Sequence, residues 1–195
     1  FTALVALAAG LKPRQERLAG HVPGALRILA TTILVLVLVQ LALGALVAGS
    51  KAGLIYTTWP LMEGSLIPGN LFALSPWPTN FFENPLTAQW THRLIAYVLI
   101  GLVIVHWRGT MRRNEPDAVQ RGALLLLATV CAQVVLGIVT VINGVPVPLG
   151  LAHQMLAFVL LALSIRQLFE IERYRPVVAP TDTVTQTTTS SSVRG

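Results

Sequence analysis

Four stretches of the chain are apolar almost without interruption, at about residues 28–48, 87–107, 122–142 and 149–168. The apolar residues are gathered into blocks rather than spread at the period of an amphipathic helix or a strand. A helix needs ~20 mostly apolar residues to cross the hydrocarbon core of a bilayer, and each block has that length. Backbone N–H and C=O groups find no water in lipid, so each block must satisfy them within itself, as a helix. The pattern predicts an all-α integral membrane protein. Its centre is a four-helix bundle over residues 28–170 with an outer loop at 49–86.

The flanks carry weaker patterns. Residues 1–11 are apolar but cover only about half a span, and Phe1 stands where an initiator Met would be. No basic stretch precedes them, as a signal peptide would require. They read as the end of a truncated transmembrane helix, followed by a cytoplasmic loop at 12–27, which makes the chain a fragment. Residues 177–195, rich in Thr, Ser and Pro, lack apolar periodicity and read as a disordered cytoplasmic tail.

Composition agrees with a membrane setting: 11% of the 195 residues are charged, against about a quarter in soluble domains. The net charge of +6 would suit nucleic acid if the charges clustered, but they alternate between connections. Lys12, Arg14, Arg17 and Arg27 precede the first block, and Arg108, Arg112, Arg113 and Arg121 lie between the second and third. Arg166, Arg173 and Arg175 accompany the end of the fourth. The connection 49–86 has one Lys and two Glu, and 143–150 has no charge. This is the positive-inside pattern. It puts the basic loops in the cytoplasm or its topological equivalent, and makes the lipid membrane, not nucleic acid, the partner. Cys131 is the sole cysteine, so the chain forms no internal disulfide; its mid-helix position suits a small buried hydrophobe.

Laying His92 on His153 reveals a repeat. T-H-R-L-I-A-Y-V-L-I-G-L from Thr91 faces A-H-Q-M-L-A-F-V-L-L-A-L from Ala152, and Gln40-Leu-Ala-Leu-Gly44 faces Gln133-Val-Val-Leu-Gly137. The bundle is therefore two copies of one helix hairpin about a pseudo-twofold axis, an arrangement that builds cofactor sites between facing helices. Ionisable residues inside spans are functional-site hypotheses by default. The repeat sets His92 and His153 at one depth, near the outer ends of helices that both run inward. Two facing imidazoles are the axial ligands of a haem iron with no open position, which suits electron transfer.

The neighbours of the pair have two readings each. Ala96 and Ala157, with Gly44 and Gly137, leave room for a flat macrocycle or simply for close helix packing. Gln40 and Gln133 either orient the ligand imidazoles or join helices. Arg93 either pairs with haem propionates or reaches for the headgroups. His106 lies near the cytoplasmic end of its helix, and its repeat partner is Gln167, which cannot serve as a second ligand; we assign it no role. His21 has no matching feature.

The outer connection is long for a segment without periodicity, and such loops are usually functional or disordered; its Trp, Phe and Pro content argues for an ordered cap over an outer-facing haem edge. It reads G-A-L-V-A-G from Gly44, A-G-L-I-Y-T-T-W-P-L-M-E-G from Ala52, F-E-N-P from Phe82 and Q-W-T-H-R from Gln89. These runs, with P-V-P-L and A-H-Q over residues 146–154, resemble haem A synthase of the mitochondrial and alphaproteobacterial type. The resemblance covers about residues 27–173. Lys51 and the Trp90-Thr91 pair depart from the family's usual residues without touching a ligand.

The resemblance implies two four-helix bundles in tandem, of which this chain is the C-terminal half. The whole enzyme is an oxidoreductase that oxidises the C8 methyl of haem O to a formyl group, giving haem A for cytochrome oxidase. The C-terminal bundle of the family is thought to hold haem b between its two His. The catalytic residues and substrate haem belong to the other half, so this chain alone should bind haem without making haem A. Haem O synthase and an electron donor are implied partners; a homo-oligomer stays open. The implied site is a bacterial inner membrane or the mitochondrial inner membrane. The rival readings are a b-type cytochrome membrane subunit for quinol-linked electron transfer, and a haem-free transporter using the two His.

Overall fold

Four helices are long and apolar enough to cross a membrane: α1 at Gly24–Gly49, α2 at Pro85–Arg112, α3 at Asp117–Ile142 and α4 at Val147–Arg173. The computed structural model describes residues 22–174. The expectations for 1–11 and 177–195, and most of the loop 12–27, fall outside the described residues. Among those described, the chain is helical apart from turns and one isolated bridge, Met62 with Ser65. The protein is an all-α, multi-pass integral membrane protein.

Every long helix starts at a proline, which lacks the N–H that a first turn cannot use. Pro23, Pro116 and Pro146 directly precede α1, α3 and α4, and Pro85 opens α2, where the Asn84 side chain also accepts from the Leu86 N–H at 3.0 Å. The helices run further than the apolar blocks, chiefly at the ends away from the 49–86 connection. α2 continues past Trp107 to Arg112, and α4 past Leu168 to Arg173. Polar and basic residues continue a helix in headgroups and water once hydrogen bonds propagate from the apolar part.

The two tight connections close alike. After α2 the Glu115 N–H donates to the Thr110 carbonyl at 3.2 Å, and after α3 the Val145 N–H donates to the Thr140 carbonyl at 2.9 Å. Both wraps satisfy carbonyls at a helix end and need left-handed residues: Asn114 (φ 51°) in the first, Gly144 (φ 70°) and Val145 (φ 54°) in the second. Such a φ is strained for a β-branched residue. Val145 is braced from outside, its Cγ2 only 2.8 Å from where a Cβ on Gly53 would stand.

Burial follows the repeat position by position. On α1 Leu26, Ala30, Ile33 and Val37 are buried, and so are their counterparts Val119, Ala123, Leu126 and Val130 on α3. On α2 Leu99, Val103, His106 and Thr110 are buried, and so are Leu160, Ser164, Gln167 and Ile171 on α4. Each hairpin packs closely within itself, and the hairpins meet through α2 with α3 and α1 with α4, which leaves α2 and α4 diagonal. The apolar core reaches outward only to the level of Val37, Val130, Leu99 and Leu160. Beyond it the facing positions Ala96 and Ala157, Gln40 and Gln133, His92 and His153, and Gly44 and Gly137 are half-buried. A closed half away from the 49–86 connection thus supports a looser storey beneath it. Cys131, expected to be buried, is exposed on the outside of the bundle, where lipid lies.

Candidate functional site

The looser storey contains two copies of one side-chain arrangement. On the first hairpin, the Gln40 amide donates from Nε2 to the backbone carbonyl of His92 at 3.0 Å and lies 3.3 Å from the His92 ring Nε2. On the second, Gln133 donates to the His153 carbonyl at 2.9 Å and lies 3.4 Å from the His153 ring Nε2. The amide orientation follows from the carbonyl bonds, because only an N–H can face a backbone oxygen. Ring Nε2 is then the acceptor, and the proton of each neutral imidazole sits on Nδ1. Neither Nδ1 has a hydrogen-bond partner, although both are buried, and the Oε1 atoms of Gln40 and Gln133 are in the same condition.

Each glutamine amide joins two helices and also touches an imidazole. A Cβ on Gly44 would stand 3.4 Å from His92 Cε1, and one on Gly137 2.8 Å from His153 Cε1. The space these glycines leave is taken by the imidazoles themselves, each ring lying along α1 or α3 of its own hairpin.

Arg93 is turned to the outer loop. Its Nη2 donates to the Thr58 carbonyl at 2.8 Å and to the Tyr56 carbonyl at 3.4 Å, and its buried Nη1 has no partner. Gln89 donates to the Tyr56 carbonyl at 2.9 Å, Trp90 Nε1 to the Leu66 carbonyl at 3.0 Å, and Trp59 Nε1 to the Tyr97 hydroxyl at 3.1 Å. The outer end of α2 therefore carries the loop above the His92 level. The Tyr56 phenol has its pKa pushed above the ordinary value by burial, and then by the Glu63 carboxylate nearby. Clefts of about 280 and 210 Å³ lie within the loop beside Tyr56 and Glu63 and include neither histidine.

Three residues that sequence reasoning passed over hold this loop in place. Asn80 is fully buried; it accepts from the Leu74 N–H at 2.9 Å and donates to the Leu74 and Trp77 carbonyls at 2.9 and 2.8 Å. Asn84 donates to Asn80 Oδ1 at 3.2 Å, and the Thr87 hydroxyl donates to the Leu71 carbonyl. The one signal was at Asn84, within the F-E-N-P run; Asn80 and Thr87 carried none. His106 was also undervalued. It is fully buried toward the C-terminal end of α2, with Gln167 Nε2 at 2.9 Å from its ring Nε2 and 3.1 Å from the Val119 carbonyl.

A haem can be tested against these residues by their chemistry. Among the described residues no group of three or more His, Cys, Asp or Glu side chains gathers to enclose a metal ion. A bare ion of the zinc type needs about four protein ligands. A macrocycle that brings its own equatorial nitrogens needs only two axial ones, a number that the two imidazoles of this storey match.

Comparison with known proteins now has a site to bear on. The family model described as Cytochrome oxidase assembly protein (COX15-CtaA) matches residues 1–165. The protein named Heme A synthase from Bradyrhizobium sp. (strain ORS 278) is 45% identical over 169 residues, which are 86% of this chain and 46% of the relative. Heme A synthase from Methylobacterium sp. (strain 4-46) is 45% identical over 167 residues, 85% of this chain and 46% of the relative. Heme A synthase from Bradyrhizobium sp. (strain BTAi1 / ATCC BAA-1182) is 43% identical over 184 residues, 92% of this chain and 50% of the relative. The chain spans about half the length of these relatives. No solved structure matches it. With a family match over most of its length and relatives of this closeness, the chain belongs to the cytochrome oxidase assembly family whose members include the haem A synthases.

Proposed function

We propose that the chain is the C-terminal half of a haem A synthase and holds a b-type haem between His92 and His153. The observation that carries this reading is the duplicated station, Gln40 with His92 and Gln133 with His153, on the diagonal helices α2 and α4. One buried histidine in a membrane bundle is commonly a packed residue. Two at repeat-equivalent positions, each seated against a glycine and beside a glutamine amide of its own hairpin, match a ligand with two equivalent faces.

The whole protein, on this reading, oxidises the C8 methyl of haem O to a formyl group in an inner membrane. By successive hydroxylations with dioxygen, each step takes two electrons from a donor to reduce the second oxygen atom to water, and the resulting geminal diol loses water to give the formyl group. A haem held by both imidazoles would have no open position, so this half would carry those electrons rather than insert oxygen. The protein's own contributions are separable. The closed core below sets the depth and spacing of the two histidines. The glutamines place lone pairs on ring Nε2, the state an imidazole must have to bind metal. Arg93 fastens the outer loop, which keeps water from the outer side of the storey, and its buried unpartnered Nη1 is available to a propionate carboxylate. Haem O synthase and a separate electron donor are the partners this role calls for.

The test is an optical spectrum of the chain reconstituted with haem b, beside His92→Ala and His153→Ala. A low-spin spectrum is expected, lost or turned high-spin by either substitution. A spectrum unchanged by both would overturn the assignment. The chain alone should bind haem without producing haem A, and haem A formed by it would refute the division of labour between halves.

A further inference from the structure

The outer loop is strapped to one stripe of α2. Gln89, Arg93 and Tyr97 stand four residues apart and so share a helix face. Gln89 donates to the Tyr56 carbonyl at 2.9 Å, Arg93 to the Thr58 carbonyl at 2.8 Å, and Trp59 Nε1 to the Tyr97 hydroxyl at 3.1 Å. Residues 56–59 therefore run down α2 from its N-terminal end into the span. A tyrosine on a helix leans back toward the helix start, which puts the Trp59 contact at about the depth of His92 and Arg93. Leu94 and Val98 share the Tyr97 face, and all three are exposed. On a membrane-spanning helix such side chains meet lipid.

Beyond the strap the loop carries no charged residue from Gly64 to Phe82. Within that run Leu66 (71% exposed), Ile67 (69%), Trp77 (64%) and Phe82 (67%) point away from the protein. Phe72 and Trp77 meet Phe81, with ring centroids 5.9 and 5.8 Å apart, and both stay largely exposed. The carboxylates of Glu63 and Glu83 line one cleft with Tyr56 and Asn70, and none of these exposed apolar side chains lines it. The loop is thus divided into a charged hollow and an apolar exterior. Its backbone is also provided for internally. The carbonyls of Tyr56, Thr58, Leu61, Leu66, Leu74 and Trp77 each accept from a side chain at 2.8–3.0 Å. Loop carbonyls in water need no such partners, whereas those placed among lipid do.

We propose that residues 56–82 lie in the interfacial layer of the bilayer, with Trp59, Leu66, Ile67, Phe72, Trp77 and Phe82 in contact with lipid. Tryptophan favours that layer, and a cluster of exposed apolar side chains of this size marks a membrane or protein contact. The strap decides for the membrane: it carries the loop onto the lipid-facing side of α2, so its apolar exterior continues the surface of the spans. The proposal needs only the membrane bundle and stands apart from the haem reading. Its consequence is that lipid, together with the loop, encloses the His92 level on the α2 side.

The test places the full chain in nanodiscs whose lipids are brominated just below the headgroup, near the acyl-chain ends, or not at all. Trp77 emission is taken as the difference between the parent chain and Trp77→Phe. Bromine below the headgroup should quench it about twofold, as for a ring at headgroup level, and terminal bromine and aqueous iodide should quench it less. Strong quenching by iodide with none by bromine would put the loop in water and overturn the proposal. Quenching by neither would reveal a protein cover, from a second copy or another partner, and would overturn it equally. Phe82→Trp supplies an independent reporter at a position that is exposed in the structure, so the outcome does not hang on the folding of Trp77→Phe. The same order of quenching is expected there, and emission quenched chiefly by iodide would again refute the placement.

Discussion

Gly44 and Gly137 occupy the same position in the two hairpins, yet a methyl group added to each meets different surroundings. At Gly137 the new Cβ would lie 2.8 Å from His153 Cε1, 3.4 Å from Nδ1 and 3.5 Å from Nε2. At Gly44 the nearest atom is His92 Cε1 at 3.4 Å, with Nδ1 at 3.9 Å. Carbon atoms in contact prefer about 3.5–4.0 Å. Ala at 44 therefore fits with a shift of a few tenths of an ångström, whereas Ala at 137 must drive the imidazole back by ~0.7–1 Å. The gain from replacing a mid-helix Gly by Ala, ~1 kcal/mol, is common to both sites and cancels in the comparison. The difference isolates the contact with the ring, and overpacking of this kind costs ~1–3 kcal/mol. Gly137→Ala should consequently be less stable than Gly44→Ala by about that amount in the haem-free chain. Reversible unfolding in mixed detergent, followed by helical circular dichroism, measures it. The same pair should differ in haem spectra, with the low-spin signal weakened in Gly137→Ala and retained in Gly44→Ala. Equal stabilities and equal spectra would show that His153 does not rest on Gly137, and the description of the rings as folded against their own hairpins would fail with it.

Other substitutions probe the supports of the storey. Gly122→Ala would bring a Cβ within 1.9 Å of Gln167 Oε1, expelling that amide and leaving His106 without its partner; we expect a loss of ~1–3 kcal/mol, read by the same unfolding assay. Gly53→Ala collides with Val145 Cγ2 at 2.8 Å, so proteolytic nicking of the outer loop should increase, and Val145→Ala in the same chain should restore protection. Asn80→Ala removes the amide that joins Leu74, Trp77 and Asn84. Amide exchange should then rise over residues 70–84 while the helical signal of the four spans stays unchanged. A uniform change across the spans would show that the loop and bundle are not separable.

The architecture was legible because lipid imposes a length and the duplication supplies a ruler. The blocks at 28–48 and 149–168 lie wholly inside α1 and α4, and placing His92 on His153 pairs buried residues from Leu26 with Val119 to Val37 with Val130 and from Leu99 with Leu160 to Thr110 with Ile171. Helix ends were less legible, since Arg108 to Arg112 and Arg173 continue a helix in surroundings where hydropathy gives no instruction. Which face points inward was also hidden. A span is apolar all round, so the pattern that marks a buried face in water disappears, and Cys131 was put inside when it lies outside. The histidines were legible through charge and repetition. Their contact with Gln40 and Gln133, and the seat each glycine offers, depend on rotamers and helix separations of a few tenths of an ångström, which no periodicity encodes. The loop network of Asn80, Asn84 and Thr87 depends on carbonyls brought near only by the fold.

His106 and Gln167 stand at one position of a duplicated hairpin, and their difference bears on what happens when two chains meet in one bilayer. The α1–α2 hairpin offers a buried register that its copy in a second chain would match as well as α3–α4 does. Pairing like hairpins between chains would set His106 against His106, and Gln167 against Gln167. Two imidazoles bring no amide to bond a ring nitrogen and a backbone carbonyl at once, so each mismatch would bury unmet polar atoms at ~1–3 kcal/mol apiece. The unlike pair thus favours joining α1–α2 to an α3–α4 hairpin over joining either to its own copy from a neighbouring chain.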